Sequence, residues 1–218
     1  MKEDVISILK KVGAIITDSH IILTSGKHSS IYINKDALYP HTEETSKVGQ
    51  MFAEKFKDTQ IDTVIAPAVG GTILSQWTAY HLSKLKNKEI FSAYTEKDKG
   101  TLASAVESEQ IFRRGYDKYV RGKKILVLED LTATGGSVKK VVDCVRAVGG
   151  IVVAVCVMVN RDPININSET IGAAFSSLGV FPAEAIVAKD CPYCKKGIPI
   201  NVTVGHGKKF LEEKKLKS

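Results

Sequence analysis

The chain has 218 residues, 44% of them hydrophobic, and a formal net charge of +7, which suits one well-cored α/β domain with some appended structure. The longest apolar stretch, at residues 150–159, is far shorter than the roughly 20 residues of a membrane helix, and residues 1–12 lack a signal-peptide core. We therefore expect a cytoplasmic protein without a membrane anchor, whose positive charge fits nucleic acid or a small polyanionic substrate.

The N-terminal region is predicted to lie outside the main sheet. Apolar residues at helical spacing predict a helix over residues 5–12, which Gly13 closes. Two segments rich in β-branched and aromatic residues, 20–24 and 30–34, are separated by a predicted turn at residues 25–28. We interpret these as two strands of a small separate unit.

Strand and helix patterns then alternate along the middle of the chain, which predicts a parallel sheet covered by helices on both faces. The predicted elements are helix 42–56, strand 63–66, helix 73–85, strand 90–94, strand 125–129, helix 138–148 and strand 151–159. Between residues 95 and 110 the periodicity disappears, and a long unpatterned segment in a compact domain is often a lid. The basic tail from Lys208 predicts a solvated terminal helix or a frayed end.

The four cysteines are too few for a disulfide scaffold. Cys144 and Cys156 lie in apolar periodic segments and are predicted to be core thiols. Cys191 and Cys194, in Cys-Pro-Tyr-Cys, could be half of a zinc site, a redox pair or a reduced structural turn, and His206 is the only plausible third ligand nearby. The other histidines considered, His28 and His41, are interpreted as surface hydrogen-bonding residues.

The strongest chemical signal follows the predicted strand 125–129. This strand delivers Glu129 and Asp130 to the carboxyl edge of the sheet, where open α/β folds bind ligands. The next residues offer hydroxyls and approachable backbone N–H groups before a helix whose N-terminus attracts phosphate: Leu131, Thr132, Ala133, Thr134, Gly135, Gly136 and Ser137. The two carboxylates would then lie near the hydroxyls of a ribose carrying that phosphate. The plainer alternative is an ordinary strand-to-helix turn.

Residues 127–137, Val-Leu-Glu-Asp-Leu-Thr-Ala-Thr-Gly-Gly-Ser, resemble the phosphoribosyl pyrophosphate signature of the type I phosphoribosyltransferases. Within that family the chain resembles the orotate phosphoribosyltransferases in segments that span nearly its whole length, namely residues 23–36, 66–71, 112–116, 157–162 and 191–199. The resemblance implies transfer of a phosphoribosyl group to orotate, which gives orotidine 5′-monophosphate and pyrophosphate in pyrimidine (UMP) biosynthesis. It also implies a type I phosphoribosyltransferase fold and a homodimer, and offers no reason to expect a nucleic acid partner.

The same resemblance implies a single domain over residues 1–218, with a core of about residues 41–179 and a small hood from about residues 1–40 and 180–218. Pyrophosphate and Mg²⁺, the latter held mainly through the substrate, would lie near a loop of small residues: Ala68, Val69, Gly70 and Gly71. The base would meet Tyr32, Ile33, Ala133 and Arg161. A guanidinium fork matches a carboxylate such as that of orotate, although Arg161 could instead be a surface residue paired with Asp162.

Cations bracket the predicted lid and could screen the charge that develops on pyrophosphate: Lys97, Lys99, Arg113 and Arg114. A solvated charged loop is the alternative. Many orotate enzymes carry other residues at the positions of Thr24, Gly70 and Ala133, which keeps a purine or other base open as the acceptor. A regulatory module that senses phosphoribosyl pyrophosphate or nucleic acid without catalysis is the non-enzyme alternative.

Overall fold

A six-stranded sheet forms the centre of the protein in the computed structural model, which describes residues 3–98 and 109–215. The strands of these residues, in chain order, are β1 (Ile15–Ile16), β2 (Ile21–Ile22), β3 (His28–Ser29), β4 (Tyr32–Ile33), β5 (Thr63–Pro67), β6 (Phe91–Lys97), β7 (Gln110–Ile111), β8 (Lys124–Thr132), β9 (Ile151–Asn160) and β10 (Phe175–Val180). The α-helices are α1 (Val5–Lys11), α2 (Thr42–Lys55), α3 (Gly70–Lys86), α4 (Gly136–Ala147), α5 (Ser168–Ile171), α6 (Pro192–Lys195) and α7 (Gly207–Lys215). Short 3₁₀ turns occur at Lys35–Ala37, Tyr116–Tyr119 and Ala188–Asp190.

The main sheet has the strand order β10-β9-β8-β5-β6-β7. All neighbouring pairs are parallel except β6 with β7, which is antiparallel. In a parallel sheet the carboxyl ends of the strands meet at one edge, so the segments that follow β5, β8 and β9 are neighbours in space. That edge carries the candidate site.

Both faces of the sheet are buried, and β8 shows why. Leu126 and Leu128 belong to a core cluster under α1, α2 and α3, whereas Ile125 and Val127 belong to a second cluster under α4. Successive side chains of a strand point to opposite faces, so a continuous apolar run supplies both clusters. The predicted parallel sheet with helices on both faces is therefore confirmed. None of the helices in the described ranges is long and apolar enough to cross a bilayer.

Two small antiparallel sheets precede the main sheet. Strand β1 pairs with β4, and β2 pairs with β3, so that Ile22 lies opposite His28. The C-terminal segment packs onto the β2–β3 hairpin through paired backbone groups of His28 and Ile186 and through a bond from the Asn201 N–H to the His20 carbonyl. The predicted turn at residues 25–28 is thus one residue too long, because His28 is already in a strand.

The predicted elements between residues 42 and 159 are all present, with boundaries that differ by a few residues. Helix α3 begins at Gly70 rather than Ile73, and α4 begins at Gly136 rather than Val138. Strand β6 continues through Lys97 because Glu96 and Lys97 pair with β7, so the unpatterned stretch begins later than predicted. The described part of the basic tail, up to Lys215, belongs to the helix α7.

Candidate active site

Glu129 and Asp130 lie within β8, two residues before its end. The sequence predicted that the strand stops at Glu129, but Leu131 and Thr132 still pair with Val159 and Asn160 of β9. The acids are consequently buried, with exposed fractions of 7% for Glu129 and 4% for Asp130. Buried carboxyl groups need partners or a proton.

Asp130 finds its partners in the N-terminal part of the chain. Its Oδ2 accepts hydrogen bonds from Lys35 Nζ at 2.6 Å and from the Tyr39 hydroxyl at 3.1 Å, and its Oδ1 accepts from the Leu131 N–H at 2.7 Å. Burial alone would lower the pKa of Lys35. The negative charge of Asp130 and the hydrogen bond with Asp130 outweigh this effect, so the pKa of Lys35 is raised. Burial and the Asp130 charge likewise raise the pKa of Tyr39, so its hydroxyl stays protonated and donates.

Lys35 and Tyr39 are site residues that the sequence interpretation missed. Lys35 lies inside the segment 23–36 that resembles the orotate enzymes, which is the one signal that could have drawn attention to it. Tyr39 follows two residues after the 3₁₀ turn Lys35–Ala37 and carries no such signal.

Glu129 has a different environment from its neighbour. Burial, and then the negative charge of Asp130, raise the pKa of the Glu129 carboxyl from 4.5 to about 8. Its Oε1 accepts a bond from the Asp130 N–H at 3.1 Å. A carboxyl with this pKa can hold a proton near neutral pH and can release it when a cation or a cationic transition state approaches.

The loop of residues 132–137 connects β8 to α4. Thr132 Oγ1 accepts a hydrogen bond from the Gly135 N–H at 2.9 Å, and Gly135 has a φ of 74°, in the left-handed region that favours glycine. Thr134, Gly136 and Ser137 are exposed at the start of α4. The loop therefore presents hydroxyls at a helix N-terminus, which is the arrangement that attracts phosphate.

A cavity of about 180 Å³, called here the small cavity, lies between the two acids and the loop of residues 68–71. The Ala68–Val69 peptide bond in this loop is cis. A Cβ at Gly70 would overlap the Asp130 carboxylate and the Tyr39 hydroxyl, so only glycine lets this backbone approach the acids so closely. The lining of the small cavity comprises Lys35, Pro67, Ala68, Val69, Gly70, Gly71, Lys97, Gln110, Glu129, Asp130, Leu131 and Ser137.

A second cavity of about 840 Å³, called here the large cavity, adjoins the first and shares Lys35 and Leu131 with it. It brings together the four residues predicted to meet the base, which are Tyr32, Ile33, Ala133 and Arg161. Thr24, Lys27 and His206 also line it. The two cavities, which share Lys35 and Leu131 near the carboxyl edge of the sheet, are together called the groove.

Arg161 is partly buried at the end of β9, beside the 132–137 loop. Its backbone N–H donates to the Thr132 carbonyl at 2.8 Å, and burial lowers the pKa of its guanidinium. Among the described residues, its Nε is buried and makes no hydrogen bond. The Asp162 carboxylate instead accepts bonds from the Asn165 amide at 3.0 and 2.8 Å. The alternative of an exposed Arg161–Asp162 pair is therefore wrong.

Asn160 holds the turn that carries Arg161, and the sequence interpretation did not single it out. Its side-chain amide donates to the Ile166 carbonyl at 3.2 Å and accepts from the Asp162 N–H at 3.0 Å. These bonds close the turn over residues 160–166 and fix the direction in which the Arg161 backbone leaves the sheet.

The cations of the predicted lid occupy different environments. Lys97 lines the small cavity. Arg113 pairs with Asp98 at 3.2 Å and Arg114 with Glu96 at 3.1 Å, both at exposed positions. Lys99 and the rest of residues 99–108 lie outside the described residues. The Asp98 N–H donates to the Glu109 carbonyl at 2.8 Å, so the two ends of the segment meet.

The cysteines and histidines differ in part from the prediction. Cys156 is a core thiol as predicted and Cys144 is half-buried, and burial raises the pKa of each thiol to about 11. His41 is exposed as predicted, but His28 is buried, so its assignment to the surface is wrong. His206 bonds Thr24 Oγ1 at 2.9 Å, while the residues gathered around Cys191 and Cys194 are His20 and His28. The prediction of His206 as the third ligand is wrong.

The family model described as phosphoribosyl transferase domain matches residues 34–166, which contain both loops and both acids. Orotate phosphoribosyltransferase of Caldanaerobacter subterraneus subsp. tengcongensis is 33% identical over 91% of this chain and 95% of that protein. The enzyme of the same description from Thermotoga maritima is 36% identical over 88% of this chain and 92% of that protein.

A solved structure shows the same fold. Orotate phosphoribosyltransferase from Aeropyrum pernix superposes with a TM-score of 0.61 at 22% identity, covering 80% of this chain and 92% of that one. These matches define a phosphoribosyltransferase of type I fold, as predicted. The chain belongs to the orotate phosphoribosyltransferase family.

Proposed function

We propose that this enzyme transfers the phosphoribosyl group of phosphoribosyl pyrophosphate to orotate, which yields orotidine 5′-monophosphate and pyrophosphate for UMP biosynthesis. The observation that carries the choice of base is Arg161, a cation in the wall of the large cavity whose Nε makes no hydrogen bond among the described residues. A buried cation needs an anionic partner. Orotate brings a carboxylate, whereas adenine, hypoxanthine and uracil bring none.

The 132–137 loop is the proposed site of the 5′-phosphate. Thr134 and Ser137 offer hydroxyls, and the first N–H groups of α4, whose N-cap Gly135 makes no side-chain capping bond, would donate to the same anion. The ribose hydroxyls would then face Glu129 and Asp130, which precede Thr132 by three and two residues on β8. Carboxylate oxygens accept hydrogen bonds from sugar hydroxyls, which supports this direction for the ribose.

The 68–71 loop and Lys97 are the proposed surroundings of the pyrophosphate, because they line the small cavity opposite the acids. The donor set there suits a Mg²⁺ ion held mainly through the substrate, since Asp130 Oδ2 is already engaged by Lys35 and Tyr39. Glu129 and Asp130 would contact the hydrated ion and the ribose hydroxyls it binds. When bound, Mg²⁺ supplies charge neutralisation on the departing pyrophosphate.

The reaction breaks the bond from the ribose C1 to the pyrophosphate oxygen and forms a bond from C1 to a ring nitrogen of the base, whose N–H proton passes to the released pyrophosphate or to water. Positive charge develops on the sugar, and the negative charge of Asp130 lies on the side of the groove where that sugar would sit. Lys35 and Lys97 would balance the charge of the phosphates. Positioning and electrostatics supply most of such a rate enhancement, so no covalent nucleophile is required.

The domain organisation, the location, the assembly and the lid of the protein are also proposed. Residues 1–40 and 180–218 would form a hood over the core of residues 41–179, supported by the contacts of the C-terminal segment with the β2–β3 hairpin. We expect a cytoplasmic homodimer that acts on small molecules, with neither a nucleic acid nor a membrane as partner. The predicted lid, including Lys97, Lys99 and Arg113, would close on the pyrophosphate.

A turnover assay with a panel of bases tests the proposal. Pyrophosphate release should require phosphoribosyl pyrophosphate and orotate, with adenine, hypoxanthine and uracil at least tenfold poorer in kcat/KM. Preference for a purine would leave phosphoribosyl transfer standing and remove orotate. Tight binding of phosphoribosyl pyrophosphate without turnover on any base would favour the regulatory alternative.

A further inference from the structure

Four metal-ligating side chains converge at the β2–β3 hairpin, and none of the four lines either cavity of the groove. They are His20 and His28 from the hairpin and Cys191 and Cys194 from the segment around α6, and their ligand atoms all lie within 4.8 Å of one another. His20, His28 and Cys191 are nearly inaccessible, with exposed fractions of 3%, 2% and 1%. The pairs come from opposite ends of the chain, so the fold itself creates the cluster.

The spacing of the atoms matches a tetrahedral S₂N₂ metal site. Zn–S bonds of about 2.3 Å and Zn–N bonds of about 2.0–2.1 Å put nitrogen and sulfur about 3.5 Å apart and two nitrogens about 3.3 Å apart in a tetrahedron. The cluster has His20 Nε2 at 3.7 Å from Cys191 Sγ and 3.5 Å from Cys194 Sγ, and His28 Nδ1 at 3.3 Å from Cys194 Sγ. The two nitrogens are 2.8 Å apart and would separate by about half an ångström around an ion.

Hydrogen bonding within the cluster does not account for this arrangement. His20 Nδ1 lies 2.7 Å from the Ile198 carbonyl, which can only accept, so Nδ1 carries the proton and Nε2 of the neutral ring has one lone pair. Three atoms nevertheless converge on Nε2, namely His28 Nδ1 and the two sulfurs. One lone pair accepts one hydrogen bond, whereas four convergent lone pairs form a coordination site.

The surroundings of the cluster are those of a structural metal centre. A ligating histidine commonly donates its other ring N–H to a backbone carbonyl, as His20 does to Ile198. The Tyr193 ring stacks on His20, and the Phe210 ring packs edge-on against His28. These aromatic rings pack against the two imidazoles, while Cys194 lies on the exposed side of the cluster.

We propose that His20, His28, Cys191 and Cys194 bind one Zn²⁺ ion that fastens the C-terminal segment to the N-terminal hairpin. The Cys-x₂-Cys spacing and the S₂N₂ donor set favour zinc, and four protein ligands define a structural site without a position for substrate. Binding displaces the protons of the two thiols, because the thiolates are the ligands. The fastened hairpin carries Thr24 and Lys27, which line the large cavity, so the ion would brace one wall of the groove.

The first test uses the wild-type protein without an affinity tag, purified in the absence of chelators. Elemental analysis should find one zinc per chain after gel filtration. Removal of the ion with a chelator under reducing conditions should lower the melting temperature by about 5–10 °C, the shift expected for a ligand at a hundred times its dissociation constant. Zinc should restore it. These measurements do not depend on turnover, so they stand apart from the choice of base.

Cobalt identifies the ligands. Addition of Co²⁺ to the metal-stripped protein should give the intense visible bands of a tetrahedral ion together with thiolate charge-transfer absorption. An octahedral spectrum without thiolate absorption would overturn the assigned ligand set. A native protein that retains no zinc and gives no cobalt spectrum when its thiols are reduced would overturn the site altogether, and iron in place of zinc would overturn the assigned ion.

Matched variants separate ligands from neighbours. Cys194→Ser, at an exposed position, should fold and lose most of the zinc, and His20→Ala should lose it as well. Cys144→Ser and His206→Ala remove residues of the same types outside the cluster and should retain one zinc per chain. Loss of zinc in His206→Ala with retention in Cys194→Ser would overturn the assignment, and the cobalt spectrum of the wild type remains decisive if His20→Ala does not fold.

Discussion

Asp130 combines a negative charge with two donors that fix its direction, Lys35 and Tyr39. We predict that Asp130→Asn lowers kcat by more than tenfold, or above about 1.4 kcal/mol, because an amide cannot stabilise the cationic sugar of the transition state. Binding of phosphoribosyl pyrophosphate should change less. Steady-state kinetics with calorimetry checks this, and Asp117→Asn on the surface serves as the control. Equal losses of affinity and kcat would make Asp130 a binding residue only.

The raised pKa of Glu129 predicts that the stability of the ligand-free protein depends on pH. Its pKa rises from 4.5 in the unfolded chain to about 8 in the fold. The folded state therefore keeps a proton that the unfolded state releases, and stability falls as the pH rises from 4.5 to about 8. At about 1.4 kcal/mol per unit, the loss is on the order of a few kcal/mol.

Glu129→Gln removes this titration. Urea unfolding at pH 5.5 and pH 8 should show a wild-type protein that loses stability relative to Glu129→Gln at the higher pH. Glu89→Gln, at an exposed position, is the control and should follow the wild type. Parallel pH profiles for the wild type and Glu129→Gln would show that the Glu129 carboxyl is ionised throughout.

The choice of orotate as the base depends on Arg161. If its guanidinium pairs with the orotate carboxylate, Arg161→Ala removes a charge-assisted bond of roughly 1.5–3 kcal/mol, which corresponds to a loss on the order of tenfold to a hundredfold. We expect the KM for orotate to rise by this factor and the KM for phosphoribosyl pyrophosphate to change far less. Arg121→Ala, which removes an exposed arginine near Asp117, is the control. An Arg161→Ala enzyme that uses orotate as well as the wild type does would remove the orotate assignment.

The 132–137 loop connects β8 to α4 and is the proposed site of the 5′-phosphate. A Cβ at Gly136 would contact only Thr134 Oγ1, at 3.6 Å, so the fold tolerates a side chain there. We predict that Gly136→Val leaves the melting temperature nearly unchanged and abolishes binding of phosphoribosyl pyrophosphate, because the branched side chain occupies the phosphate position. Titration calorimetry measures the affinity.

Lys139→Val supplies the matched control for that variant. It introduces the same β-branched residue one turn further along α4 at an exposed position. It should bind phosphoribosyl pyrophosphate within a few-fold of the wild type, apart from the small effect of one surface charge. Undiminished affinity of a folded Gly136→Val protein would move the phosphate away from this loop.

The sequence predicts the long elements well because their signals are local. The apolar run of β8 and the amphipathic pattern of α4 can each be recognised within a short stretch of sequence, because the burial of the element sets the order of apolar and polar residues. Strand β10 was missed, since all six of its residues remain at least partly exposed at the edge of the sheet and show no alternation. Of the two-residue strands in the N-terminal region, β2 and β4 lie inside the predicted segments 20–24 and 30–34, whereas β1 and β3 were missed. Strand β1 exists only through its pairing with β4, across the hairpin, which local reasoning cannot detect.

The candidate site shows the same difference between residues that are close in the sequence and residues that only folding brings together. The residues of one contiguous motif, from Glu129 to Ser137, could be found because strand, loop and helix follow one another. Lys35 lies 95 positions from Asp130 along the chain, and His20 lies 171 positions from Cys191. Such pairs come together only when the chain folds, so the sequence offered His206, a neighbour of the Cys pair along the chain, instead of His20 and His28.

The net charge of +7 is compatible with a substrate that carries several phosphate charges. Lys35 and Lys97 bring part of that charge to the groove, and Arg161 brings another part. The groove nevertheless carries charges of both signs, because Asp36, Asp130, Asp162 and Glu184 line the same cavities and Lys35 is already paired with Asp130. An anionic substrate would therefore be held by individual cations such as Lys97 and Arg161 rather than by a net positive cleft.

The last prediction concerns assembly, because the family resemblance implies a homodimer whose lid reaches the neighbouring active site. Light scattering at micromolar concentration should give twice the chain mass of 23.7 kDa. Lys97 lines the small cavity of its own chain, so the residue proposed to cross is Lys99, which lies outside the described residues.

Mixing two impaired variants tests the crossing directly. Lys99→Ala spoils the lid and Arg161→Ala spoils the base site, so each homodimer should be weakly active. In a mixed dimer with exchanged lids one site carries both changes and the other carries neither, and random mixing restores about one quarter of the wild-type sites. Refolding each variant alone is the control. A fully active monomer would defeat the homodimer, whereas a dimer that shows no recovery on mixing would confine each lid to its own chain.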